Sequence, residues 1–129
     1  MLNEELIELA DKICKQKAEE QTIEVKSALM GCPKRLYDTL SSFSNQDSGG
    51  IIVFGIDEDA LFSVVGVYNP QDLQKHIAEQ CQQMEPPVRA VFTMAEYQGK
   101  TICAVEVPPV DYAERPCFYR GAGRTKGSY

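Results

Sequence analysis

The sequence predicts an α+β fold in which helices flank a mixed β-sheet, in the order α-β-α-β-β-α-β-β plus a C-terminal extension. Three observations carry this. Apolar residues recur at three- and four-residue steps in three separate segments, as helices with one buried face require. Residues 51–56, Ile-Ile-Val-Phe-Gly-Ile, form an unbroken apolar run between turn signals, which suits a central strand covered on both faces. Two further apolar runs surround Gln98-Gly99, the chemistry of a tight hairpin. Helices interleaved with strands, then a hairpin, give a mixed sheet with helices packed against it.

The elements follow in order. Leu2, Leu6, Leu9 and Ile13 share one helix face, with Asn3 placed as a cap and Glu4 and Glu5 near the positive end of the dipole. Thr22 to Lys26 alternates and is β-branched, so it reads as a short strand. Pro33 stands where a second helix would open, and Leu36, Leu40 and Phe43 carry that helix to about Ser44. Asn45 to Gly50 is a turn cluster leading into the apolar strand, which Asp57-Glu58-Asp59 ends. Val64 to Val67 reads as a short returning strand. Asn69-Pro70 caps a third helix bearing Leu73, Ile77, Cys81 and Met84, and Pro86-Pro87 stops it. Val88 to Ala95 and Thr101 to Val107 form the hairpin, and the chain from Pro108 onward reads as loop. Because that tail ends without a capping element, the expectation is one domain over residues 1–129, cut from a longer protein.

Composition narrows the function classes. No apolar run approaches the ~20 residues of a membrane span, and the acidic, amphipathic start is unlike a secretory signal, so the expected compartment is the cytoplasm. The five cysteines include no C-x-x-C pair, so reduced, mostly buried thiols are expected rather than a zinc or redox site. His76 is the single histidine and cannot build a histidine metal site or relay. The net charge of −6 runs against a generic nucleic-acid binder. Its distribution is uneven, however. Residues 1–24 are strongly acidic, whereas residues 113–129 carry Arg115, Arg120, Arg124 and Lys126 against Glu114 alone.

The Gly49-Gly50 pair lies between a helix and a strand with no lysine after it. A Walker loop has the reverse order, so no ATP site is expected. Glu19 and Glu24 bracket the first strand, and Asp57 ends its probable neighbour. Carboxylates gathered at one sheet edge can hold Mg²⁺ or Mn²⁺ against a phosphodiester, although surface roles are the commoner fate of such acids. The basic candidates are Lys26, Lys34, Arg35, Arg115, Arg120, Arg124 and Lys126. Lys34-Arg35 would stand in the first turn of the second helix beside its free N–H groups, a phosphate-contact arrangement. Phe118-Tyr119-Arg120 and Gly123-Arg124 mix aromatics, glycine and arginine, which suits single strands.

Together these segments resemble the Schlafen AlbA-like family. Glu19 to Lys26 is similar to its E-x-x-x-x-E-[aromatic]-K opening, and Ser42 to Gly50 to its A-F-A-N-T-D-G-G segment. Ile51 to Asp57 resembles its strand ending G-[VI]-D, Val65-Gly66-Val67 its V-G-V return, and Arg115 to Gly121 its P-[YF]-Y-x-G stretch. Val25 replaces the aromatic, Ser42 and Ser44 replace alanines, and Ser48 is an extra residue. The resemblance implies an AlbA-like fold and a DNA-binding module of the kind found in bacterial transcriptional regulators and RecG-like helicase proteins. In animal relatives the related core is an RNA endonuclease, and Glu19, Glu24 and Asp57 fall on its acidic positions. Three functions therefore compete: a nucleic-acid-binding regulatory module, a Mg²⁺- or Mn²⁺-dependent endoribonuclease, and a dimerisation or protein-interaction module. The resemblance and the edges of the Val88–Val107 hairpin also imply a homodimer.

Overall fold

The computed structural model describes residues 1–17 and 22–121. It has the expected α+β architecture. Helix α1 (Asn3–Gln16) precedes β1 (Ile23–Lys26). Helix α2 (Tyr37–Ser44) leads to β2 (Gly50–Phe54), β3 (Ile56–Asp57) and β4 (Ser63–Val64). Helix α3 (Pro70–Gln82) is followed by β5 (Met84–Glu85), β6 (Val91–Tyr97), β7 (Lys100–Val107) and β8 (Phe118–Tyr119). The main sheet is ordered β1-β2-β7-β6, with β1 parallel to β2 and the other pairs antiparallel. Strands β3-β4 and β5-β8 form two small antiparallel ribbons.

Alternation along β2 feeds two cores. Val53 points to the α1 side, where Leu6, Ala10 and Ile13 pack on Val25, Ala95, Ile102 and Ala104. Ile52 and Phe54 point to the other side, where Leu40, Phe43, Leu73 and Ile77 pack on Cys103, Val105 and Val107. Val53 and Phe54 are fully buried, as the apolar run requires. Each fully buried Leu, Ile or Phe contributes about 1.5–3 kcal/mol.

Several boundaries differ from the sequence expectation, each for a local reason. Leu2 caps α1 and is exposed, and its N–H donates to the Glu5 carboxylate at 2.8 Å, so Asn3 is the first helical residue rather than the cap. Helix α2 opens at Tyr37, not at Pro33, because Gln80 intercepts the backbone before it. Its Nε2 donates to the Pro33 carbonyl and its Oε1 accepts the Leu36 N–H, both at 2.8 Å. Lys34 and Arg35 therefore lie in a loop ahead of the helix. Strand β2 stops at Phe54, since Gly55 has φ +107° and a Cβ there would lie 3.0 Å from Ile102. Ile56 packs on the α1 side like Val53, three residues earlier, so Gly55 shifts the alternation by one. The Gly55 carbonyl accepts both Val65 and Gly66 N–H groups, which leaves β4 only Ser63–Val64.

Helix α3 starts where Asn69-Pro70 predicts, with Asn69 Oδ1 accepting the Asp72 N–H at 3.1 Å. It ends before Pro86-Pro87, because Met84–Glu85 turns away to pair with β8. Strand β6 starts at Val91 rather than Val88, whose N–H is taken by the Cys81 carbonyl at 3.1 Å. All five thiols are free, three of them buried. Among the described residues no helix is long and apolar enough to cross a membrane.

Candidate nucleic-acid interface

The first candidate residues lie on β1. Glu24 and Lys26 alternate with Val25, which faces α1, so both point to the α2 side of the sheet. Their side chains pair at 3.3 Å, and the Thr39 hydroxyl of α2 donates to the other Glu24 oxygen at 2.9 Å. The Glu24 charge is thus offset by an ammonium and a hydroxyl, both from this chain. Asp57 ends β3 two residues beyond Gly55, and its Oδ1 accepts the Asp59 N–H at 3.0 Å, closing a short turn. Glu19 lies outside the described residues. Among the described residues, no three His, Cys, Asp or Glu side chains gather to hold a metal ion. Glu24 and Asp57 are carboxylates of the type Mg²⁺ or Mn²⁺ prefers. Two acids with these partners do not by themselves make a closed ligand set.

The second group surrounds an aromatic pair. Tyr37, at the start of α2, stacks on Tyr119 of β8 with centroids 3.9 Å apart and planes 17° from parallel. The Tyr37 hydroxyl donates to Gln83 Oε1 at 2.8 Å. Burial raises the Tyr37 phenol, with the Arg35 guanidinium pulling the other way from close by. Lys34 and Arg35 are exposed, and neither has an ion pair among the described residues. Arg120 is exposed too, with its guanidinium on the carbonyls of Gln82 and Gln83, where a cation complements the C-terminus of α3. The stack therefore brings together Lys34-Arg35 and Phe118-Tyr119-Arg120, which lie far apart in the chain. Beside it is a cleft of about 510 Å³ lined by Lys34, Tyr37, Tyr68, Asp72, His76 and Glu79, among others. Cys32 also lines it, but burial, then Asp72 and Glu79, push this thiol up to about 11, so no thiolate forms there at neutral pH.

Arg115 sits elsewhere and is held by the protein. It pairs with Asp47 at 2.9 Å, donates to the Val110 carbonyl at 3.2 Å and stacks over Tyr112 at 4.8 Å. Arg124 and Lys126 lie outside the described residues.

The sequence matches the Schlafen AlbA_2 family over residues 19–126. The chain belongs to that family. A search of curated proteins finds no match. Among solved structures, the chain is similar to the N-terminal domain of a RecG-related protein from Nitrosomonas europaea. The identity is 26%, covering 96% of this chain and 86% of that one, with a TM-score of 0.75. It also shares the fold of the DIP2311 protein from Corynebacterium diphtheriae, at 16% identity and a TM-score of 0.55, covering 92% of this chain and about a quarter (24%) of that one. The class is broadly nucleic-acid-associated.

In this Schlafen AlbA_2 chain several motif residues serve the fold. Asn45 grips the backbone of Cys117 twice, accepting its N–H at 2.7 Å and donating to its carbonyl at 3.1 Å, and Ser41 donates to the same carbonyl at 2.8 Å. Asp47 holds Arg115. The Phe43 ring lies against Gly50, where any Cβ would come within 2.3 Å of it. The turn after α2 and the segment before β8 thus form one junction, which seats Tyr119 against Tyr37. No sequence motif points to Thr39 or Gln80, which bond to Glu24 and to the Pro33–Leu36 loop. Gln80 left a signal, since a polar residue falls within the apolar stripe of Leu73, Ile77 and Cys81. Thr39 left none.

Proposed function

We propose that this chain is a nucleic-acid-binding module that contacts a single strand at the Tyr37–Tyr119 stack through Lys34, Arg35 and Arg120, with Lys26 at the neighbouring sheet edge. The observation that carries this reading is the stack itself, which gathers two separate basic segments around one aromatic pair. Aromatic faces stack on any base, and cations beside them meet the backbone phosphates. The family and the RecG-related neighbour support nucleic acid as the ligand class. The net charge of −6 and the acids of the adjacent cleft oppose a polyanion, so affinity belongs in the weak range, about 1–100 µM at physiological salt. Glu24, occupied by Lys26 and Thr39, serves in this reading to position β1 against α2 rather than to cleave.

The test is fluorescence anisotropy with labelled single-stranded DNA, single-stranded RNA and duplex DNA. Lys34→Ala, Arg35→Ala and Arg120→Ala, combined, should weaken single-strand binding about tenfold or more, with an unchanged circular dichroism spectrum. Parent-like affinity in that variant would contradict the assignment.

A further inference from the structure

The two edges of the main sheet are unlike. The β1 edge has four residues and carries the Glu24–Lys26 pair. The β6 edge has seven residues, Val-Phe-Thr-Met-Ala-Glu-Tyr, with neither lysine nor proline to blunt it. Two of its side chains are exposed apolar groups, Val91 at 53% and Met94 at 44%.

The hairpin turn fixes which backbone groups point outward. Gln98 and Gly99 have φ +53° and +76°, the signs of a two-residue type I′ turn, and Tyr97 is registered with Lys100. The pair flanking such a turn exchanges both hydrogen bonds, and hydrogen-bonded pairs then alternate along the ladder. Val91, Thr93, Ala95 and Tyr97 therefore direct N–H and C=O at β7. Phe92, Met94 and Glu96 direct theirs away from the sheet.

We propose that β6 pairs with β6 of a second copy of this chain, antiparallel, with the two-fold axis at Met94. Only a register that opposes outward-pointing residues satisfies the free groups, and three such residues centred on Met94 pair as 94 with 94 and 92 with 96. This gives about six backbone hydrogen bonds between subunits. Met94 covers its own symmetry mate on the α3 side, and Val91 meets the partner's Tyr97 on the α1 side, so both exposed apolar groups are covered. Charge supports the same register. A dyad moved two residues towards the turn would set Glu96 against Glu96, a like-charge pair that destabilises. Centred on Met94, each Glu96 instead lies opposite Phe92, near the end of the strand that follows the exposed Arg89. The result is a continuous eight-stranded sheet across the two-fold, an isologous contact.

The experiment is light scattering across a concentration series, with cysteine cross-linking in the whole chain. The parent should dimerise as concentration rises. Met94→Lys should stay monomeric with an unchanged thermal midpoint, because the side chain is exposed. Under mild oxidation Met94→Cys should form a covalent dimer beyond the background of the five native thiols, whereas Glu96→Cys should not, its two copies being separated by several residues. A parent that remains monomeric near millimolar concentration overturns the proposal, even if β6 accepts a strand of another protein. Cross-linking of Glu96→Cys as fast as Met94→Cys overturns the register.

Discussion

At Gly50 the absence of a side chain has a packing cause. The Phe43 ring occupies the space a Cβ would take, at 2.3 Å. The Gly-Gly pair is thus the seat of an α2 side chain on β2 rather than a phosphate cradle. Gly50→Ala should destabilise the fold by about 1–3 kcal/mol through overpacking. Chemical denaturation checks this, and an unchanged midpoint would mean that Phe43 moves aside at no cost. The same scale explains where reading the sequence stops. Gly50 and Asn45 are visible as turn residues, but their partners, Phe43 and Cys117, follow from how distant segments pack. Arg115 and Arg120 look like free surface cations in the sequence, yet one pairs with Asp47 and the other caps α3.

At the scale of elements, the loop from Pro33 to Leu36 is shaped by α3. Gln80 is buried and spends both ends of its amide on that loop, at 2.8 Å each. Replacing it by methionine keeps the volume, leaves the buried Leu36 N–H without a partner and takes the amide donor from the part-buried Pro33 carbonyl, which keeps only the Cys32 thiol at 3.4 Å. The unpartnered N–H costs about 1–3 kcal/mol. Gln80→Met should therefore lower the denaturation midpoint and weaken nucleic-acid binding, because Lys34 and Arg35 lose their fixed position. Stability and binding that are both unchanged would remove Gln80 from the account. Helix and strand order was legible because periodicity reports burial directly. The boundaries at Tyr37, Phe54 and Val91 were not, since each is set by a hydrogen bond or a glycine conformation involving a distant residue.

At the scale of the molecule, the core on the α2 and α3 side of the sheet keeps thiols protonated. Burial pushes Cys81 up to about 11 and Cys103 up to about 12, and Cys32 in the cleft reaches about 11. An unfolded thiol titrates near ~8.5. Above that pH the unfolded chain loses protons that the folded chain retains, so stability present at neutral pH is lost as pH rises through about 9 towards 11–12. Tyr68, pushed up to about 12 by burial and by its bond to Asp72, acts in the same direction. The thermal midpoint should fall between pH 8 and pH 10.5, and a flat profile would contradict this. The same packing holds in place the proposed interface, the aromatic pair with its three cations. Its most direct test is the salt dependence of single-strand binding. For the parent, log affinity should fall linearly with log salt. Combined alanine replacement of Lys34, Arg35 and Arg120 should flatten that slope by about 2, at about 0.7 per lost single-strand contact. A slope that is unchanged in the triple variant would place the interface elsewhere on the molecule.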